Sequence, residues 1–112
     1  MEFVEEPGFT RECKRLCKRY RSLAEDFADF CEVLRVRPRG MGGKHWNLLS
    51  RSEMAEIFKT RIICLSLGRD AIRIVYAFHE QEMRIVFLEL YYKGDKERED
   101  QGRVRAYLKD NS

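Results

Sequence analysis

The chain has 112 residues, a formal net charge of +3 and an apolar share of 44%. That length fits one domain, residues 1–112, which buries roughly 65% of its unfolded surface around one modest core. The composition excludes a disordered chain, and no apolar run approaches the roughly 20 residues of a membrane span. The first six residues carry three glutamates and no cation, without the apolar stretch of a signal peptide, so a cytoplasmic protein is expected.

Residues 2–6 read as a short first strand. Phe9, Cys13, Leu16, Cys17 and Tyr20 recur at helical spacing and mark one face of a helix, whose other face is basic with Arg11, Lys14, Arg15, Lys18 and Arg19. Ser22-Leu23-Ala24-Glu25 has the form of a capping box opening a second helix, with Leu23, Phe27, Phe30, Cys31 and Leu34 as its stripe. Pro38 ends that helix by Arg37. The short connection predicts an αα-hairpin with both stripes on one partner. All four cysteines fall on apolar stripes without zinc-ligand spacing, so they are read as small core residues and no metal is expected.

Between Glu32 and Glu53 lie five cations, one histidine and no acid. Such asymmetry focuses a field on a phosphate chain, or simply keeps a loop solvated. Arg39 to Lys44 is a glycine-rich loop without a P-loop pattern. His45 to Leu49 reads as a short extended piece, and Ser52 to Glu56 as a small helical turn or an insertion. Trp46 is read as a base-stacking platform or a peripheral core anchor.

Three strands are expected at about 57–65, 71–78 and 83–92, joined by loops at 66–70 and 79–82, with a short charged helix or a tail at 101–110. Side chains alternate along a strand, so Lys59, Arg61 and Arg73 are expected on one face. Like charges set side by side repel, and a sheet that gathers them calls for an anion; RNA is the expected partner. The Ile72 and Val86 faces are expected under the helix hairpin, and Glu89 opposite Arg73 as its ion-pair partner. His45 and His79 are read as ordinary loop residues.

The order of elements then resembles the RelE/ParE superfamily of toxin–antitoxin toxins. Phe9 to Phe27 is similar to that family's basic first helix running into its second. Phe58-Lys-Thr-Arg-Ile, Ile72-Arg-Ile-Val-Tyr and Leu90-Tyr-Tyr-Lys-Gly-Asp-Lys-Glu-Arg are similar to its three strand signatures. The resemblance covers about residues 8–98. It implies an α+β fold of order β-α-α-β-β-β, with a strand and helix hairpin packed on a small antiparallel sheet. It also implies a metal-independent, ribosome-dependent mRNA endoribonuclease in which the RNA 2′-hydroxyl attacks the neighbouring phosphate, or less often a gyrase poison. A cognate antitoxin is the implied protein partner.

On that resemblance Lys59, Arg61 and Arg73 are the expected catalytic residues. Arginine suits the task because its planar fork binds two phosphate oxygens and keeps its proton. Lys44, Arg51 and Lys93 are the expected RNA-binding residues. The family's catalytic C-terminal Tyr or His has no counterpart in Lys96-Glu97-Arg98-Glu99-Asp100.

Overall fold

A computed structural model describes the backbone of residues 1–112 and the side chains of residues 1–67 and 72–112. The elements run β1 (Glu2–Glu5), α1 (Pro7–Arg19), α2 (Leu23–Val36), β2 (Trp46–Arg51), β3 (Glu56–Cys64), β4 (Gly68–His79), β5 (Arg84–Tyr92) and α3 (Gln101–Asp110). The sheet order is β1-β5-β4-β3-β2. The fold is α+β, but the sheet has five strands and is mixed, since β1 pairs parallel with β5. The segment expected to be a piece near 45–49 is a full edge strand. Ser52 to Ala55, read from sequence as a helical turn or an insertion, is the tight connection between β2 and β3. Ser52 Oγ accepts there from the amides of Met54 and Ala55, at 3.2 Å each.

The helix hairpin forms as its stripes dictate. Pro7 opens α1, where its missing N–H costs nothing. Phe9, Leu16, Leu23, Phe30 and Leu34 are buried against Phe58, Ile62, Ile74 and Tyr76 of the sheet. Phe87 meets Phe9 at 5.1 Å and Phe27 at 5.0 Å between ring centroids. Cys13 and Cys17 lie one helical turn apart with sulfurs 3.9 Å from each other. Burial pushes the Cys13 thiol up to about 12 and the Cys31 thiol up to about 11, which leaves both unreactive near neutral pH.

The expected capping box at Ser22 does not form. Ser22 sits in helical backbone conformation (φ −84°, ψ −10°), where its side chain makes no cap bond. Its hydroxyl instead donates to Asp26 at 2.7 Å and accepts from the Ser66 amide at 2.9 Å. Asp26, 8% exposed, also accepts from the Leu65 amide at 3.0 Å. Ser22 and Asp26 thus tie the start of α2 to the turn after β3.

Trp46 is a core anchor rather than an open platform. It stacks on Phe30 at 5.7 Å, and its indole N–H donates to the Tyr76 hydroxyl, which donates to the Pro38 carbonyl. Gly40 turns the loop beneath this ring with φ +86°, and a Cβ there would collide with the indole.

The β4–β5 register holds the largest departure from simple alternation. Val75 pairs with Glu89 but Tyr76 pairs with Phe87, so Leu88 is an extra residue in a β-bulge. Ile85, Phe87 and Leu90 therefore face the helix hairpin, while Val86 and Leu88 face the other way, onto Val104 of α3. The expectation that the Val86 face packs under the hairpin is corrected here: one residue of slip moves a side chain to the opposite face. Glu12 of α1 holds the bulge, since its carboxylate accepts from the Leu90 amide at 3.2 Å and from the Arg103 fork at 2.9 and 2.8 Å.

Candidate functional site

The register places Arg61 directly opposite Arg73 and Lys59 opposite Val75, so the three cations share the sheet face that also carries α3. The expected convergence of Lys59, Arg61 and Arg73 holds in position. All three are half-buried, and Arg61 and Arg73 are each engaged within the protein.

Glu89 is not opposite Arg73. Tyr91 occupies that place and Glu89 stands opposite Val75, because the bulge at Leu88 shifts the register by one. Glu89 is 1% exposed and accepts from the Lys96 ammonium and, at 2.8 Å, from the Asp100 amide. Its charge is therefore answered by the segment leading into α3. The Lys96 ammonium also lies 5.2 Å over the Tyr91 ring. Burial, with the nearby Glu99 and Glu89 charges, pushes the Tyr91 phenol up to about 12, so it remains protonated at neutral pH.

Lys59 donates to Glu99 at 2.7 Å, and Glu99 is almost fully buried. Burial alone raises a carboxyl; the hydrogen bond from Lys59 and the local positive charge outweigh it and hold Glu99 below the ordinary carboxylate range. One of the three expected catalytic cations is thus covered by a carboxylate from residues 93–100, the connection between β5 and α3.

The expected RNA-binding residues divide. Lys44 is exposed three residues before Asn47, whose partner on β3 is Lys59. Lys93 is exposed just past Tyr92, whose partner is Ile72, the neighbour of Arg73. Both are thus close in sequence to strand positions that border the cationic row. Arg51 does not join them: it pairs with Glu56 at the far end of β3. Five residues separate that end from Arg61, roughly 17 Å along a strand. Arg51 borders a cavity there with Arg39, which bridges Glu56 at 2.8 Å and Glu80 at 2.7 Å.

Sequence reasoning missed His79. It is the last residue of β4 rather than a loop residue, 2% exposed, with Nε2 2.5 Å from the Tyr107 hydroxyl of α3. Burial and the neighbouring Arg84 hold its pKa below the ordinary imidazole value of 6.5, against the weaker opposite pull of Glu82 and the Met54 backbone. The alternation Ile72, Ile74, Tyr76, Phe78 places His79 on the second face. Only knowledge that α3 docks there would have revealed its partner.

No protein-family model, curated protein or solved structure matches this chain. Among the described residues, no helix is long and apolar enough to cross a membrane, and no group of three or more His, Cys, Asp or Glu is arranged to hold a metal ion.

Proposed function

We propose that this chain is a toxin of the RelE/ParE type, acting in the cytoplasm as an endoribonuclease on ribosome-bound mRNA and restrained by a cognate antitoxin. The observation that carries this reading is the Arg61–Arg73 cross-strand pair with Lys59 two residues away on the same face. Two guanidinium groups set across from each other make a concentrated cationic patch, and a phosphodiester carries the charge that two planar forks bind.

In this reading the RNA 2′-hydroxyl gives its proton to solvent and its oxygen bonds to the adjacent phosphorus as the bond to the 5′-oxygen breaks, and a proton from solvent completes the leaving 5′-hydroxyl. The products are a 2′,3′-cyclic phosphate and a 5′-hydroxyl end. Arg61 and Arg73 hold the non-bridging oxygens and stabilise the charge that accumulates on them, and Lys59 is a third clamp. Fixed charge of this kind, aimed where charge develops, commonly accounts for more of the rate enhancement than any other single effect.

Expression of the chain alone should arrest growth, and ribosomes programmed with mRNA should yield cut message. Arg73→Ala should lower cleavage by about 10²–10³-fold, the loss typical of removing one fixed donor to a developing anion. Undiminished toxicity of that variant would overturn the assignment.

A second reading, a binding module of the same fold that poisons a topoisomerase, draws support from the Lys59–Glu99 ion pair, which occupies one of the three cations. Induction of a DNA-damage response without mRNA cleavage would favour it.

A further inference from the structure

The sheet has a second feature, on the side of β3 that faces away from β4. β2 accompanies β3 only as far as the Trp46–Thr60 pair. From Arg61 to Cys64, no strand among the described residues lies on that outer side. A bare strand edge offers N–H and C=O groups in the geometry that another extended backbone satisfies.

Beside this edge runs an open groove of about 360 Å³, bounded by α2 and the Met41 loop. Phe30, Trp46 and Ile62 form its floor. Its rim carries Val33, Met41, Ile63 and Leu65, which are 38%, 63%, 58% and 80% exposed. Half of the large apolar side chains exposed among the described residues thus surround one groove. Such clustering marks an interaction surface, whereas single exposed apolar residues do not.

The charge of the groove is also defined. Asp26 is consumed by Ser22 and the Leu65 amide. Asp29, one turn before Val33 on the same side of α2, is exposed, and no ion pair or hydrogen bond engages it among the described residues. Arg61 stands at the other end of the groove and is already engaged. The vacant charge is therefore negative, in a protein whose net charge is +3.

We infer that this groove receives an extended segment of a partner polypeptide, which pairs with the Arg61–Cys64 edge, inserts alternate apolar side chains and sets a lysine or arginine against Asp29. A helix presents no backbone groups to a strand edge, so the bare edge selects an extended occupant. Strand side chains alternate, so one set enters the groove while the other faces solvent. The inference is independent of the nuclease reading.

The test uses the full chain with three blocked octapeptides of alternating valine and threonine: one with its last valine replaced by lysine, so that the charge lies on the groove side with Asp29, one with that valine replaced by glutamate, and the lysine peptide with proline at two alternate central positions. Trp46 is the single tryptophan and reports occupancy by fluorescence. The lysine peptide should bind at least tenfold more tightly than the glutamate peptide, against the direction set by the net charge. Proline, which lacks the N–H, should abolish binding, and Asp29→Lys should reverse the order of the two charged peptides. Asp29 is exposed on a helix, so that variant should fold, which its far-UV spectrum checks. Equal affinity for the two charged peptides, binding that survives proline, or no binding at all would overturn the inference. So would a concentration-dependent dimer abolished by Ile63→Lys, since the occupant would then be a second copy of this chain.

Discussion

Under α1 and α2, Phe9, Phe27 and Phe87 meet ring to ring, and the cluster around them is aliphatic and aromatic with four cysteines. Under α3 the apolar patch is smaller, running from Ala55 and Ile57 through Val75 and Ala77 to Val86, Leu88 and Val104. There the contacts that fix position are polar: Lys59 with Glu99, Lys96 with Glu89, the Arg103 fork with Glu12, and His79 with Tyr107. Hydrophobic burial is non-directional and supplies most of the stability. Hydrogen-bonded charge contributes less net energy but specifies geometry. The hairpin face is thus held mainly by apolar burial, with the Ser22–Asp26 and Trp46–Tyr76 hydrogen bonds at its margin, and the α3 face mainly by hydrogen-bonded charge.

The comparison is tested most severely by emptying the hairpin face. Phe87→Ala should cost about 3–5 kcal/mol, the range for removing a buried aromatic ring, read as a lowered denaturant midpoint. If α3-face substitutions proved as costly, the division of labour would be wrong.

The next effect should come from Glu12→Ala. It leaves the Arg103 fork and the Leu90 amide without their acceptor, and unpaired donors of this kind cost about 1–3 kcal/mol. Because Glu12 ties α1 to both the bulge and α3, hydrogen exchange should quicken at Leu90 and through Gln101–Asp110 more than through α2. Uniform quickening would show that the bulge does not depend on this carboxylate.

That carboxylate also shows what the sequence makes legible. The helix hairpin can be read because apolar residues recur at the helical period, and β3 and β4 because theirs alternate. Lys59, Arg61 and Arg73 share a face for the same reason. Glu12 sits inside a run of cations, where it looks like one more solvated charge. The bulge at Leu88 breaks the period-two rule at a single residue, and no residue type announces it; hence plain alternation points Glu89 at Arg73, whereas it answers Lys96 and Asp100. The pairs made by α3 and the segment leading into it span 40 residues for Lys59 with Glu99 and 28 for His79 with Tyr107. Contacts so distant in sequence follow from docking, not from local pattern.

Glu99→Gln sharpens the polar side of the comparison. It removes the countercharge from Lys59 while keeping the shape, so a single-stranded RNA oligonucleotide should bind more tightly at low salt. The slope of log affinity against log salt should steepen by about one, the increment for one further phosphate contact. Unchanged affinity and slope would place Lys59 outside any RNA-binding surface.

The smallest effect should be a dependence on pH confined to α3. Burial and Arg84 hold the folded imidazole of His79 below its ordinary value of 6.5, so the unfolded chain takes up the proton first. Where the unfolded state binds more protons, stability rises with pH. The contribution of His79 is therefore whole above about pH 6.5 and declines as pH falls from there through the folded value. The Tyr107 phenol, pushed up to about 12 by burial, stays protonated across this window and cannot mask the effect. In thermal melts His79→Phe should flatten the slope of stability between pH 7 and 5. The slope should persist unaltered in Phe87→Ala, where the hairpin face is damaged and the imidazole is untouched. If His79→Phe leaves the slope as it was, the α3 face does not owe its acid sensitivity to this imidazole, and the polar contacts there are less selective than their geometry implies.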